Sequence, residues 1–127
     1  MSSSKKVLVA EDSSVIQNLT KKILQFQNYE ITSVRDGEEV LEVLAKEDFD
    51  IILMDINMPK MDGMECTRTI RSMDDDLKAE IPIVAITGNA NNYSREEFQE
   101  AGINDYLQKP IDFDLLVETV KKFTSGQ

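Results

Sequence analysis

Four apolar runs in this chain of 127 residues each end on side chains able to handle a phosphoryl group. Val7–Ala10 leads into Glu11 and Asp12, and Ile51–Met54 leads into Asp55. Ile83–Ile86 leads into Thr87 and Gly88, and Asp105–Leu107 leads to Lys109 and Pro110. Together they offer three carboxylates, one hydroxyl and one ammonium. Neighbouring carboxylates repel one another, and a bound cation relieves that repulsion. Oxygen ligands without His or Cys select a hard cation, Mg²⁺ first and Mn²⁺ as an alternative. Mg²⁺ keeps several waters and takes few protein ligands, which suits so sparse a set. Asp55 is the central acid and the candidate nucleophile, since a carboxylate can carry a phosphoryl group as a covalent intermediate. Lys109 would hold a phosphoryl oxygen as a mobile point charge. Thr87 would donate its hydroxyl to another.

Each of these residues also has a plainer role. Asp12 and Asp62 read as helix caps, Thr87 as a β-branched strand residue, and Lys109 as a solvated lysine. Tyr106 reads as a half-buried strand aromatic. Met54, Met58, Met61 and Met64 read as packing or loop residues. The joint placement at four strand ends carries the chemical reading, because ligands of open α/β sheets bind at the carboxyl edge.

The elements that must hold these residues alternate. Apolar runs of strand length near 5–10, 30–34, 51–54, 82–87 and 105–108 are separated by segments of helical period, which predicts a βα unit repeated five times and a parallel sheet. The run Glu30–Val34 alternates in polarity and predicts an edge strand. The central three are almost continuously apolar, as strands covered on both faces are. Helix starts are marked by Ser14 with Gln17, Asp36 with Glu39, and Asp62 with Glu65. Phe113, Leu116, Val117 and Val120 give the last helix an apolar stripe. The segment Tyr93–Ala101 turns only Phe98 and Ala101 inward and predicts a thinly packed helix. Asp74–Asp76 reads as a solvated acidic loop. Gly63 gives the loop behind Asp55 conformational freedom.

The length fits one domain, over 5–124, with flexible tails at 1–4 and 125–127. No apolar stretch approaches the roughly 18 residues that span a bilayer. The first residues lack the apolar segment of a signal peptide, and the lone Cys66 allows no internal disulfide. These features predict a soluble, cytoplasmic protein without a membrane partner. A net charge of −10 with scattered lysines and arginines excludes direct nucleic-acid binding. The chain has no histidine, so histidine chemistry must come from a partner and a zinc site is excluded.

The whole chain, over roughly residues 5–123, resembles the receiver domain of two-component response regulators, with its chemotaxis-regulator-like fold. The resemblance rests on Val7–Asp12, on Ile51–Pro59 with Asp62 and Gly63, on Ile86–Thr87, and on Ala101–Gly102 through Asp105–Pro110. The stretches Ile86–Ala90 and Asp105–Ile111 look most like receivers attached to hybrid sensor kinases. The resemblance implies a doubly wound, flavodoxin-like α/β fold with five helices and strand order 2-1-3-4-5, an order known for this class. It implies Asp55 as phosphoacceptor, with Glu11, Asp12, Asp55 and the main-chain carbonyl of Asn57 at the metal. It implies Thr87 and Lys109 as phosphate contacts, Thr87 and Tyr106 as switch residues, and a cis bond before Pro110. Asn57 and Asn89 would tune water access. The phosphoryl donor would be a histidine kinase or histidine phosphotransfer domain. A downstream protein would read the face formed by the helix after the fourth strand, the fifth strand and the last helix. Glu11 stands where many relatives have Asp.

Three other readings compete. Haloacid-dehalogenase-like phosphohydrolases place a second Asp two residues after the nucleophile as general acid/base. Here that position is Asn57, which cannot take a proton, so only slow self-catalysed dephosphorylation is expected. A flavin-mononucleotide binder needs a hydroxyl-rich phosphate loop where this chain has Glu11 and Asp12. A non-phosphorylated binding module would not need the complete set of acids with Thr87 and Lys109.

Overall fold

The computed structural model describes residues 5–88 and 93–125. Five strands form one parallel sheet in the order β2-β1-β3-β4-β5. They are β1 (Lys6–Ala10), β2 (Glu30–Val34), β3 (Ile51–Asp55), β4 (Ile83–Thr87) and β5 (Asp105–Gln108). Strand positions, the parallel sense, the order and the edge position of β2 all follow the sequence reading. Every strand is parallel to its neighbours, so all five carboxyl ends share one edge.

Side chains alternate across a strand, and both faces here are covered. Ile52 and Met54 point into a core shared with α2 (Gly37–Leu44), α3 (Gly63–Arg71) and α5 (Arg95–Ala101). Ile51 and Leu53 point into a second core against α1 (Ser14–Phe26) and α6 (Phe113–Thr124). That double burial is why the central strands read as unbroken apolar runs. Leu116 and Val120 of the α6 stripe are fully buried, while Phe113 and Val117 pack at its margin.

Local details depart from the expectation in four places. The α1 cap is Ser13, whose Oγ accepts from Ile16 N at 3.3 Å. Gln17 Nε2 instead donates to the Glu11 and Val34 carbonyls, bracing the loop after β1. A sixth helix, α4 (Asp76–Ala79), starts at the last residue of the expected acidic loop, whose Asp74 and Asp75 stay exposed outside it. It forms because Asp75 Oδ1 accepts from Leu77 N and Lys78 N, capping one turn. Gly63 has no left-handed backbone to supply. A Cβ there would lie 2.7 Å from the Asp55 carbonyl oxygen, so glycine permits close approach of α3 to β3. The left-handed residue of that loop is Lys60, at φ 67. Met54, Met58 and Met64 are buried, and Met61 packs beside them.

One guanidinium ties the lower parts of the fold together. Arg71, at the end of α3, donates to the carbonyls of Ala79, Ile81 and Gly102 and to Asn104 Oδ1, at 2.6–2.9 Å. Burial lowers its pKa, with Glu80 opposing that shift. Gly102 ends α5 at φ 102, and a Cβ on it would meet Arg71 Cγ at 2.6 Å. The expected tail residues 1–4, 126 and 127 lie outside the described residues, as does Asn89; Ser125 is exposed.

Candidate functional site

The four strand ends converge as the sequence requires. Asp55 is the last residue of β3 and is only 2% exposed. Its Oδ1 accepts from Asn57 N at 3.0 Å, and its Oδ2 lies 3.2 Å from Lys109 Nζ. Lys109 reaches it because β5 stops at Gln108 and the Lys109 amide then donates to the Thr87 carbonyl at 2.8 Å. The Lys109–Pro110 bond is cis, as expected.

Glu11 follows β1 and is 3% exposed. Its Oε2 accepts from Ser13 N at 2.8 Å. Its Oε1 lies 3.7 Å from Lys109 Nζ and is buried with no hydrogen-bond partner among the described residues. One ammonium thus serves two buried carboxylates. Burial pushes the Glu11 carboxyl up; the Ser13 amide opposes this, Asp55 adds to it, and Lys109 opposes it. An unpartnered carboxylate oxygen beside a second carboxylate fits a hard divalent cation, which takes one or two carboxylates and fills its shell with water.

The structure brings together Glu11, Asp55 and Lys109. Glu11 turns inward, while Asp12 is exposed at the rim and its carbonyl accepts from Arg35 Nη2 at 3.2 Å. Among the described residues no three acidic, His or Cys side chains gather into a ready metal cluster. Of the three expected acids, Glu11 and Asp55 are buried and Asp12, next in sequence to Glu11, is exposed.

Thr87, the last residue of β4, is buried at the same edge. Tyr106 pairs with Ala85, so alternation sets it on the sheet face that Ala85 and Thr87 share, one diagonal step from Thr87. Its ring stacks on Phe98 of α5 at 5.2 Å between centroids, and Phe98 meets Tyr93 at 5.7 Å. Phe98 and Ala101 are the buried residues of α5, as the sequence predicts. Sequence reading missed the parts played by Ser13 N, Gln17 and Arg71. Main-chain donors have no signature in sequence, and an arginine ending a helix reads as an ordinary C-terminal cation.

Residues 7–121 match the family model for the response regulator receiver domain. Hybrid signal transduction histidine kinase I of Dictyostelium discoideum is 39% identical over 120 residues, covering 91% of this chain and 7% of that protein. The chain therefore spans only a small part of that relative. The polar-differentiation response regulator DivK of Brucella anthropi is 32% identical, covering 94% of this chain and 95% of that one. The receiver domain of sensor histidine kinase PA1611 from Pseudomonas aeruginosa, solved with a magnesium ion in its active site cleft, superposes with a TM-score of 0.87. It is 32% identical, covering 98% of this chain and all of that one.

Proposed function

This chain belongs to the response regulator receiver domain family of two-component signalling, and we propose that Asp55 is its phosphoacceptor, charged from a histidine of a partner kinase or phosphotransfer domain. The observation that carries this reading is the buried Asp55 carboxylate, held by Asn57 N and Lys109 Nζ beside the unpartnered Glu11 oxygen. In the transfer, an Asp55 oxygen forms a bond to phosphorus as the bond from phosphorus to the donor's imidazole nitrogen breaks. The electron pair leaves with the imidazole. The carboxylate loses its charge in becoming an acyl phosphate, while the phosphoryl oxygens carry charge in its place. Lys109 follows that charge from Asp55 Oδ2 to a phosphoryl oxygen, and Thr87 donates to another. Glu11, Asp12, Asp55 and the Asn57 carbonyl would hold Mg²⁺, or Mn²⁺ in its place. Bound there, it would neutralise charge on the transferring group.

The donor histidine has to be foreign, since this chain has none. Val15 and Leu19 lie four residues apart on α1, close in sequence to Asp12, and are 69% and 45% exposed. Such a pair suits a helical partner delivering its histidine to the edge. A downstream protein reads α5, β5 and α6. Asn57 cannot take a proton and so cannot act as a general base, and the phosphorylated state decays slowly by its own chemistry. No helix among the described residues is long and apolar enough to cross a membrane. A cytoplasmic setting suits the buried, unpaired Cys66.

The test uses Mg²⁺ and a small acyl phosphate donor, read by intact-protein mass spectrometry. The wild-type chain should gain one phosphoryl group, and Asp55→Asn should gain none, because an amide is not a competent nucleophile. Full labelling of Asp55→Asn would place the acceptor elsewhere.

A further inference from the structure

The edge of the sheet opposite Asp55 carries a second concave feature. A groove of about 490 Å³ opens between the loop before β3 and the α4–β4 connection. That volume falls within the roughly 300–1,000 Å³ of ligand-binding clefts. Its accessible apolar lining is Phe49, Pro82 and Leu77, with Leu44 and Ile81 buried behind them. Leu77 stands over the groove and is 84% exposed, held out by the single turn that Asp75 caps. Leu77, with the half-buried Phe49 and Pro82, leaves a small apolar patch in water.

The rim is acidic. Asp48, Asp50, Asp76 and Glu80 line it against one cation, Lys78. Asp50 accepts from the Lys6 amide at 2.8 Å, which fixes its position and leaves its charge in place. Lys6 Nζ is paired with Glu47 at 2.9 Å and lies 5.0 Å from the centre of the Phe49 ring, so its charge is already met at this margin. An apolar patch inside a negative rim matches a partner with the opposite pattern.

We infer that this groove docks a basic peptide segment, one large apolar side chain seated against Phe49, Pro82 and Leu77 and flanking lysines or arginines facing Asp48, Asp76 and Glu80. A second copy of this chain is the weaker occupant, because each copy carries a net charge of −10 and the same acidic rim. A docking site here lies at the edge away from Asp55, so an occupant leaves the phosphoryl edge open.

The test is a titration of the isotope-labelled protein, followed by amide chemical shifts, with a synthetic twelve-residue peptide of lysines and arginines around a central phenylalanine. Shift changes should concentrate in residues 44–50 and 76–82. Replacing the central phenylalanine by alanine should weaken binding about tenfold, as truncation of a buried anchor does. Leu77→Ala should weaken it severalfold. Asp48→Lys with Asp76→Lys should abolish it at low salt, where rim charges are least screened. All three positions are exposed, so these variants keep the fold, as circular dichroism would verify. No binding, equal binding of the alanine peptide, or shifts spread over the whole acidic surface would each overturn the inference. So would a peptide-free dimer in sedimentation that Leu77→Ala dissolves, since the groove would then serve self-association.

Discussion

Glu11 Oε1 is a buried carboxylate oxygen whose nearest cation, at 3.7 Å, sits closer to Asp55. Leaving a buried acceptor unpaired costs about 1–3 kcal/mol, so Glu11 stores a local instability that a cation can relieve. The sign of its pH dependence follows from burial, which raises its pKa above the ordinary 4.5 against the opposing Ser13 amide and Lys109. The folded state keeps a proton that the unfolded chain has already lost. Its contribution to stability is therefore fully present below pH 4.5 and lost as pH rises through the folded value. Glu11→Gln should raise the melting temperature in metal-free buffer at pH 7, by the equivalent of about 1 kcal/mol. It should also blunt the stabilisation that Mg²⁺ gives the wild type. Thermal melts with chelator and with Mg²⁺, across a pH series, check both. Parallel pH profiles for variant and wild type would remove Glu11 from the site's energetics.

Between residue and molecule stands the route from Thr87 to α5. Thr87 and Tyr106 share a sheet face, and Tyr106 stacks on Phe98, the main buried residue of α5. Inverting a 1:99 equilibrium takes about 5.5 kcal/mol, and one hydroxyl bond to a charged oxygen gives about 1.5–3 kcal/mol. Thr87 alone cannot drive the change, so Lys109 must share it. Thr87→Ala should therefore leave phosphorylation of Asp55 intact and weaken the response around Phe98 and Tyr106. Hydrogen exchange with and without phosphorylation reads this directly. The change should fade toward Gly102, which Arg71 pins. A full wild-type response in Thr87→Ala would break the proposed link. These elements also show what was legible in advance. Strands β3 and β4 could be bounded to within one residue because burial on both faces demands unbroken apolar runs. The helix α4 could not, since a single capped turn has no hydrophobic period. The carboxylate pair was legible as strand ends. The hold of Arg35 on the Asp12 carbonyl was not, because a main-chain acceptor has no signature in sequence.

At the scale of the molecule, two cores on opposite sheet faces stabilise one unit. Cys66 lies fully buried in one of them, its Sγ 3.6 Å from the Gly37 carbonyl. Burial, with Asp62, Glu65 and Asp36 nearby, pushes its thiol up to about 12 from an ordinary 9.0. Stability tied to this thiol is present below pH 9 and lost as pH rises toward 12, because the unfolded chain ionises first. Alkylation by iodoacetamide at pH 8 should then proceed only through global unfolding, and Mg²⁺ should slow it. Rapid native labelling would mean that α3 opens locally.

The order of the strands has one more effect. Glu11 and Asp55 come from the first three strands, and Thr87 and Lys109 from the last two, with the seam at β3–β4. A cut in the exposed Asp74–Asp76 segment would divide the chain so that each half carries one half of the phosphoryl site. Neither fragment could be phosphorylated alone. Phosphorylation would return only on reassembly, so the fold is suited to act as a split reporter whose signal is a covalent mark.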